Sequence, residues 1–377
     1  MTMTTNKNHN SPNVPNLRFP EFEGEWEKIE LQDIVPNICS GKDKISNSGK
    51  VVLYGSTGVI GKTDFASYKK NIVLVARVGA NAGQLQIGNA PCGVTDNTLV
   101  IDAKEWNYYI YYFLQHYNLN RLVFGSGQPL ITGGMLKKIK VGHGNKVERI
   151  KITRLLCLLD KRIATQNKII DKLQSLIKGI NQNVFTDDGF NYMLKELCEI
   201  RSGYSGNQLA SKNGLKVSRI ETISGHKVNI ERVGYVAPFA SSENYKLQIG
   251  DILFSNINSV EYIGNTAFIE KDYGLYHGMN LLRLMPNKNI VTPLYLYLLL
   301  NINKMQNYFK TICNKAVSQA SINQTELGKT VVKIPSIKAQ KQICELYQSL
   351  YNKLETEDNA ISLLQKQKEY LLRQMFI

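Results

Sequence analysis

The chain contains two copies of one segment. Residues 128–185 and 319–376 align without a gap at a constant offset of 191 positions (319 minus 128). Gln128 then falls on Gln319 and Ile131 on Ile322, whereas most residues between such matches differ. The repeat therefore keeps the apolar pattern and the length rather than the surface. A chain built from two similar halves is expected to arrange them about a two-fold axis.

Both copies end in a long segment with helical spacing. Apolar residues recur in steps of three and four over 146–185 and over 338–375. This periodicity predicts two amphipathic helices with a seam close to that of a coiled coil. Two units in series and related by a two-fold axis place these helices antiparallel, so that each apolar stripe covers the other.

The segments before the helices predict mixed domains. Short apolar runs broken by Gly and Asn indicate strands, and WNYYIYYFLQHY at Trp106–Tyr117 indicates an aromatic helix. In the second half, Asp251–Phe254 echoes a strand and Leu294–Leu300 echoes the aromatic helix. The predicted strands of the first half are Val51–Tyr54, Ile72–Val75, Gln84–Ile87 and Thr98–Ile101.

The predicted fold class is α+β. Two similar mixed α/β domains are separated by two long antiparallel helices that form a coiled coil, and the whole is pseudo-two-fold symmetric. The predicted bounds are a disordered N-terminal tail over 1–16, a first domain over 17–145, a central long helix and linker over 146–186, a second domain over 187–337 and a C-terminal long helix over 338–377.

The charge favours a polyanionic partner. The net charge is +15, and residues 146–186 are the densest part, with nine basic and three acidic side chains. Nucleic acid is the usual partner of such a chain, although a basic balance also serves solubility alone. There is no apolar run of 18 residues and no signal peptide, so we expect neither a membrane span nor secretion. The six scattered cysteines and five histidines predict no disulfide framework and no metal site, which is typical of the cytoplasm.

Catalytic motifs are weak. Gly55–Thr63 resembles a phosphate-binding loop, but its glycine spacing is one residue too long and no helix is predicted after it. A glycine-rich β-turn is the better interpretation, and a DNA-facing loop is an alternative. Gly79–Gly83 reads as a tight hairpin or, alternatively, as a cofactor loop. A methyltransferase that acts on amino groups of DNA bases needs a Pro-Pro-aromatic loop, and the sequence has no Pro-Pro pair. We therefore predict no catalytic residues.

An ordered set of motifs resembles the specificity (S) subunits of type I restriction-modification systems. These motifs are VPNLRFPEFEGEW at Val14–Trp26 with IELQDI after it, YGSTGVIG at Tyr54–Gly61, GSGQPLI at Gly125–Ile131 and LDKRI at Leu159–Ile163. The resemblance extends from Pro15 to the C-terminus.

The resemblance implies a non-catalytic DNA-reading subunit. Each globular domain is then a target recognition domain that reads one half of a bipartite sequence in double-stranded DNA. The helix pair sets the gap and docks two methyltransferase (M) subunits, which restriction (R) subunits join. S-adenosylmethionine, ATP and magnesium would belong to these partners, so no cofactor is expected in this chain. Two alternatives from other classes are a stand-alone DNA modification enzyme and a coiled-coil adaptor for proteins.

Base edges are read by amides and guanidinium groups, and phosphates by cations and hydroxyls. The candidates share a loop placement beside Gly or at strand ends, which is equally typical of solvated turn residues. Those of the first domain are Lys42, Lys44, Arg77, Asn81, Gln84, Arg121, Ser126 and Gln128. Those of the second domain are Arg201, Tyr204, Asn207, Gln208, Lys212, Asn256, Asn258, Asn280 and Gln319.

Two further groups remain open between a structural and a functional role. The tyrosines of the aromatic helix are expected in the core rather than as stacking platforms for bases. The basic side chains of the central helix contact DNA across the gap or else form a solvated or partner-facing surface. They are Arg149, Lys151, Arg154, Lys161, Arg162, Lys168 and Lys172.

Overall fold

The computed structural model describes residues 4–5, 13–123, 129–185, 189–316 and 319–377. The chain divides into two compact units. Unit 1 comprises residues 1–169 and 357–377, and unit 2 comprises residues 170–356. Each unit is therefore built from both halves of the sequence, because each long helix contributes residues to both.

Unit 1 is a mixture of short strands and helices. Its strands are β1 (Thr4–Thr5), β2 (Leu17–Arg18), β3 (Glu27–Glu30), β4 (Ile38–Ser40), β5 (Val51–Gly55), β6 (Gly58–Thr63), β7 (Ile72–Ala76), β8 (Leu85–Gly88), β9 (Cys92–Val94), β10 (Thr98–Ile101) and β11 (Lys140–His143). Its helices are α1 (Leu31–Ile34), α2 (Asn107–Tyr117), α3 (Gly133–Lys137) and the first part of α4 (Lys146–Asn183).

Unit 2 repeats this mixture. Its strands are β12 (Phe190–Met193), β13 (Cys198–Ser202), β14 (Leu215–Val217), β15 (Gly234–Val236), β16 (Ile252–Phe254), β17 (Ile257–Asn258), β18 (Thr266–Phe268), β19 (Leu282–Pro286), β20 (Asn314–Lys315), β21 (Ala320–Ser321) and β22 (Val331–Ile334). Its helices are α5 (Leu194–Leu197), α6 (Pro293–Leu300), α7 (Asn303–Ile312), α8 (Gln324–Gly328) and the first part of α9 (Ile337–Gln374).

The two units share one sheet topology. The central sheet of unit 1 has the order β4-β10-β7-β8, and that of unit 2 has the order β13-β19-β16-β18. In chain order both read first, fourth, second, third, with antiparallel neighbours throughout. Each unit also pairs the strand after its N-terminal end with the strand before its long helix, β3 with β11 and β12 with β22. The predicted duplication and α+β class are confirmed.

The aromatic helix α2 packs into the core of unit 1. Strand β7 is wholly buried, as expected for an apolar run in the middle of a sheet. Tyr109, Tyr112 and Phe113 of α2 are at most 2% exposed. The Tyr109 hydroxyl donates to the Gly142 carbonyl at 2.7 Å, which satisfies the buried polar group. The core interpretation of the helix tyrosines is therefore confirmed for Tyr109 and Tyr112.

The long helices run antiparallel where they meet in unit 1. The Lys368 ammonium of α9 lies 2.7 Å from the Asp160 carboxylate of α4. Further along α4, the Gln166 carboxamide donates to the Glu357 carboxylate of α9. Residues later on α4 thus meet residues earlier on α9. Apolar side chains of both helices are buried in the core of unit 1, namely Leu156, Leu159, Leu364 and Leu371. In unit 2 a smaller cluster joins Ile177 of α4 to Tyr347 of α9.

The contact between Gln166 and Glu357 joins equivalent positions of the repeat, because it spans the repeat offset of 191 residues. Antiparallel helices bring equivalent positions together at only one level. The helices therefore meet in matched register there, with the Gln166 amide also 3.4 Å from the Glu357 carbonyl oxygen.

Each long helix is followed by a phenylalanine that packs into a domain core. Phe376 follows α9 and lies 5.5 Å from the Tyr109 ring and 6.1 Å from the Phe113 ring in unit 1. Phe185 follows α4 and lies 5.5 Å from the Tyr295 ring in unit 2. The two phenylalanines are repeat equivalents. The core of unit 1 therefore contains the end of the chain.

The N-terminal motif of the chain is structural. The Arg18 guanidinium donates to both carboxylate oxygens of Glu148, at 2.7 and 2.9 Å, and the Trp26 indole donates to the same carboxylate at 3.2 Å. Glu148 is fully buried in the first turn of α4. Arg18 also donates to the carbonyls of Gly24 and Glu23. This network fixes the motif against the start of α4.

Residues before position 17 already take part in the folded structure. The Trp26 amide donates to the Asn13 carbonyl at 2.7 Å, and Thr4–Thr5 pairs antiparallel with Leu17–Arg18. The unstructured tail predicted for 1–16 therefore does not extend to residue 16. Residues 1–3 and 6–12 of that prediction lie outside the described residues.

The buried Arg18–Glu148 pair gives a stability prediction. We expect Glu148→Ala to lower the free energy of unfolding of unit 1 by about 3–5 kcal/mol, because it leaves a buried guanidinium without its counter-charge. Urea unfolding followed by tryptophan fluorescence measures unit 1 selectively, since both tryptophans, Trp26 and Trp106, lie in it. The control is Glu105→Ala, which removes an exposed pair with Lys146 and should leave the free energy of unfolding nearly unchanged, since solvent screens such a pair. Equal losses in the two variants would contradict the structural role of the pair.

Candidate nucleic-acid interface

Two predicted residues of the first domain meet in one open depression of unit 1. Asn81 and Gln84 lie in the connection from β7 to β8 and line a depression of about 310 Å³. The opposite wall is the C-terminal end of α2 and the turn after it. It contributes Gln115, Asn118 and Asn120, which the sequence analysis did not select. We call the group of Asn81, Gln84, Gln115, Asn118 and Asn120 the amide depression.

Backbone geometry holds the two walls together. Gly79 and Gly83 adopt positive φ angles of 76° and 89°, which allow the sharp connection between the two strands. A side chain at Gly83 would meet Leu119, Asn120 and Ile131 at 3.2–3.3 Å. Asn118 ends α2 in the left-handed region at φ 58°, and its side chain accepts from the Asn120 amide at 3.2 Å. This helix stop is the signal by which sequence reasoning might have found the second wall.

The predicted arginines of unit 1 flank the amide depression without lining it. Arg77 is half-buried at the end of β7, and its carbonyl accepts from the Ile131 amide at 2.8 Å. Arg121 is exposed and lies over the Tyr117 ring, 5.1 Å from its centroid. Ser126 and Gln128 lie outside the described residues. The nearest described residue on their C-terminal side, Pro129, accepts from the Gly79 amide at 3.0 Å.

Lys42 and Lys44 are exposed but stand apart from the amide depression. They flank Asp43, whose carboxylate accepts from the Val94 amide at 2.8 Å and from the Ser67 hydroxyl at 2.6 Å. Asp43 therefore pins the loop after β4 and presents both ammonium groups to solvent. Their placement suits phosphate contact rather than base reading.

Unit 2 has its own depression, of about 340 Å³. It brings together three predicted residues, Asn207, Gln208 and Asn280, with Arg219, which the sequence analysis did not select. Asn280 stands in the left-handed region at φ 65°. The Arg219 guanidinium lies 3.5 Å from the Glu221 carboxylate, and both side chains are about half exposed. We call this group the arginine depression.

Tyr204 supports the arginine depression from its side. Its ring stacks on Phe239 at 3.9 Å with an interplanar angle of 7°, and Tyr245 meets it edge-on at 5.6 Å. One face of the predicted stacking ring is therefore already covered. The Tyr204 backbone amide donates to the His277 carbonyl at 3.0 Å, which connects the loop after β13 to the segment just before Asn280.

The other predicted residues of unit 2 do not line the arginine depression. Arg201 pairs with Glu199 at 2.5 Å on the surface, and Lys212 is exposed. The Asn256 amide donates to the Ile322 carbonyl at 3.4 Å, and the Asn258 amide donates to the Ser255 hydroxyl at 3.0 Å. Both carboxamides are thus used in hydrogen bonds within the protein, beside the β17-β21-β20 sheet. Gln319 precedes β21 in that sheet and is exposed.

The cations of the central helix divide into two groups. The Arg149 guanidinium lies over the Trp106 ring at 3.3 Å, and the Lys151 ammonium pairs with Glu21 and lies 4.4 Å above the Phe19 ring. These two side chains are occupied by the fold. The remaining five face solvent, Arg154, Lys161, Arg162 and Lys168 in unit 1 and Lys172 in unit 2.

Residues 55–63 form a hairpin. Strands β5 and β6 pair antiparallel from Val51–Thr63 to Gly55–Gly58. A phosphate-binding loop lies between a strand and a helix, so the β-turn interpretation of this segment is confirmed. Within the described residues, no group of three or more His, Cys, Asp or Glu side chains is placed to hold a metal ion. None of the described helices is long and apolar enough to cross a membrane.

The family pattern of the type I restriction modification DNA specificity domain matches the chain twice, over residues 23–182 and over residues 189–366. The chain belongs to this family. The two matches follow the duplication, one for each recognition domain and its long helix. The resemblance stated from the sequence motifs is therefore confirmed, and the chain carries two DNA recognition domains of a type I specificity subunit.

Relatives of known type agree over most of the chain. The MjaVIII specificity subunit of Methanocaldococcus jannaschii is 24% identical over 97% of this chain and 93% of the relative. The EcoKI specificity subunit of Escherichia coli K12 is 24% identical over 93% of this chain and 78% of the relative. The MjaX specificity subunit of M. jannaschii is 43% identical, over 48% of this chain and 44% of that relative.

Solved structures share the fold. The S subunit of a type I system from M. genitalium superposes with a TM-score of 0.65 at 17% identity, over 97% of this chain and 99% of that one. A chain from a structure that describes complex assembly and conformational transition of the type I system gives a TM-score of 0.56 at 14% identity, over 93% and 97%. These likenesses confirm the fold class.

His277 makes the stability of unit 2 depend on pH. Burial lowers the pKa of His277 to about 4, so the folded state keeps this imidazole neutral. Its Nε2 lies 2.9 Å from the Leu281 carbonyl oxygen, which it reaches as a donor. Below the ordinary histidine pKa of about 6.5 the unfolded chain takes up a proton that the folded chain does not, so stability falls with falling pH until about pH 4.

We therefore expect unit 2 to lose about 1.4 kcal/mol of stability per pH unit between about pH 6 and about pH 4.5, from His277 alone. Urea unfolding followed by far-UV circular dichroism measures the slope. His277→Gln keeps a donor for Leu281 but does not titrate, so its slope should be smaller by that amount. Burial raises the pKa of the nearby Asp251, which acts in the opposite direction but is common to both proteins. Identical slopes for wild type and variant would show that His277 is not neutral in the folded state.

Proposed function

We propose that this chain is the non-catalytic DNA-reading subunit of a type I restriction-modification complex, in which each recognition domain reads one half of a bipartite sequence. The observation that carries the proposal is the pair of domains with one sheet topology and different open depressions, each lined by groups that read base edges. The net charge of +15 supplies the attraction to the phosphate backbone. The matching family supports the assignment.

The different side chains in the two depressions support two different half-sites. Unit 1 offers carboxamides, which suit adenine, whereas unit 2 adds the Arg219 guanidinium, which suits guanine. An asymmetric target needs this kind of difference between otherwise similar domains. Among the alternatives, a stand-alone modification enzyme is disfavoured because the sequence lacks the Pro-Pro-aromatic loop. An adaptor for proteins does not explain the basic charge.

We propose further that the paired helices set the unread gap between the half-sites and dock two methyltransferase subunits, which restriction subunits then join. S-adenosylmethionine, ATP and magnesium act in those partners, within the cytoplasm. The register contact between Gln166 and Glu357 supports a spacer of fixed length. Exposed apolar side chains on α4 in unit 1 support docking, since Val147, Ile150 and Leu158 are 65%, 56% and 56% exposed on one side of the helix.

The spacer proposal predicts the gap. One heptad inserted after Asn167 and one after its repeat equivalent Asp358 keep the helix pairing and add about 10.5 Å to each helix. At about 3.4 Å per base pair the unread gap should widen by about three base pairs, with both half-sites unchanged. Methylome sequencing of cells that carry the variant complex measures both. The matched control has the heptad after Asn167 only, which disrupts the register and should abolish modification. An unchanged gap in the double insertion would refute the spacer.

The docking proposal predicts a separation of assembly from DNA binding. Leu158→Glu places a charge on the exposed apolar side of α4, and we expect it to weaken co-purification with the methyltransferase subunit at least about tenfold. Its stability should change by less than about 0.5 kcal/mol because the side chain is exposed. Leu158→Met keeps an apolar surface and is the control. Retained assembly in Leu158→Glu would place the docking surface elsewhere.

A further inference from the structure

Three of the five side chains of the amide depression are not used by the fold. Asn81, Gln84 and Asn120 are exposed, and within the described part of the chain their carboxamides make no hydrogen bond. Asn118 uses its carbonyl oxygen to hold the Asn120 amide. Gln115 hydrogen-bonds the Tyr111 hydroxyl. Two of the five amides thus support the wall, and three converge on open space with both donor and acceptor available.

The repeat provides an internal comparison. The connection from β16 to β18 in unit 2 is topologically equivalent to the connection from β7 to β8 in unit 1. Its Gly264, at φ 84°, stands two residues before its strand, as Gly83 does at φ 89°. In unit 2 this position also meets amides that follow the core helix, Asn301 and Gln306. There Asn301 donates to Thr266 and Tyr297, and Gln306 donates to the carbonyls of Gly264 and Leu300.

The same place in the fold therefore carries amides in both units, with opposite use. In unit 2 the two carboxamides donate to backbone carbonyls and to the Thr266 hydroxyl. The Phe309 ring of α7 also lies within 3 Å of the position that a Cβ atom at Gly264 would take. In unit 1 no such helix covers them within the described residues. Amides that the scaffold needs are satisfied internally, as buried polar groups generally are. Those of Asn81, Gln84 and Asn120 in unit 1 are exposed and open to an external ligand.

The chemistry of the lining selects among base edges. A carboxamide forms a bidentate pair with N6 and N7 of adenine in the major groove, whereas guanine is read by arginine or lysine and cytosine by a carboxylate. Among the residues that the structure describes, neither a guanidinium nor a carboxylate lines the amide depression. Arg77 and Arg121 stand beside it, where they suit the phosphates that flank a base.

We propose that the amide depression of unit 1 reads the major-groove edge of an adenine in the half-site bound by this domain. Asn81, Gln84 and Asn120 are the base-reading groups, and Asn118 is the positioning residue that holds Asn120. This inference rests on the proposed function and adds the identity of a base to it. The arginine depression of unit 2 has no such restriction to adenine, because Arg219 stands among its amides.

The test uses the full chain assembled with its methyltransferase subunits. Methylome sequencing defines the two half-sites, and a chimaera with residues 17–145 exchanged for those of a relative assigns one half-site to unit 1. Duplexes then carry 7-deazaadenine, which lacks N7, at one adenine of that half-site at a time. Binding is measured for wild type, Asn81→Ala, Gln84→Ala and Asn120→Ala. The control variant is Asn47→Ala, an exposed amide of unit 1 that does not line the depression.

We expect 7-deazaadenine at one position to weaken wild-type binding by about tenfold or more. At least one of the three variants should bind the natural duplex more weakly by the same factor. Its affinity should not fall further on the duplex with 7-deazaadenine, because the two changes then remove the same direct contact. Asn120→Asp, which keeps the shape but loses the donor, should behave like Asn120→Ala. Asn47→Ala and replacements in the other half-site should give losses that simply add.

Additive losses for all three depression variants at every adenine would overturn the proposal, even if the variants bind weakly. Failure of the proposed function looks different, since the wild-type complex would then bind all duplexes alike and show no half-site at all. A folding defect is recognised by tryptophan fluorescence of unit 1. It does not remove the test, because the sensitivity of the wild type to each 7-deazaadenine stays measurable. No sensitivity at any adenine of that half-site also overturns the proposal.

Discussion

The apolar seam between the two long helices is the constraint on which the rest of the structure depends. Neither helix is stable alone in water with its stripe exposed, because helices gain most of their stability from packing an amphipathic face. In unit 1 the seam is continuous with the domain core, where Leu364 and Leu371 of α9 join Leu156 and Leu159 of α4. Phe376 extends this packing to the aromatic helix α2. The core of the first recognition domain therefore includes side chains from the C-terminal part of α9 and from Phe376.

The N-terminal motif also ties the first domain to a long helix, in this case to the start of α4. Arg18 and Trp26 converge on the Glu148 carboxylate in the first turn of α4, so the strand that opens the domain and the helix that closes it share one buried ion pair. A buried pair of this kind adds little net stability against an apolar equivalent but specifies geometry, because neither partner tolerates being left alone. The pair therefore fixes how the N-terminal motif packs against the start of α4.

Much of this architecture was predictable from the sequence because it follows from periodicity. The 191-residue offset, the helical spacing over 146–185 and 338–375, and the apolar strands before them are repeated patterns, and the structure has helices and strands at those places. The residues that line the two depressions follow no such period in the sequence. Asn118 and Asn120 lie more than thirty residues from Asn81, and only the packing of α2 against the sheet brings them together. Arg219 and Asn280 are likewise distant in the sequence and meet only in the fold of unit 2. Asn256 and Asn258 have the same side chain and a similar loop placement in the sequence. In the structure, however, their carboxamides donate to the Ile322 carbonyl and the Ser255 hydroxyl.

The comparison of the two units shows how one scaffold carries different sets of hydrogen-bonding side chains. The central sheets share their topology, and Gly83 and Gly264 share their backbone conformation, because the fold needs both. The fold does not fix the side chains around these glycines in the same way. In unit 2, helix α7 covers them, whereas no equivalent of α7 occurs in the described residues of unit 1. Unit 2 instead opens its depression between the loop after β13 and the turns around Arg219 and Asn280. Duplication of a stable core thus leaves each copy free to place its hydrogen-bonding groups on a different part of the surface, which the proposed reading of two unlike half-sites would require.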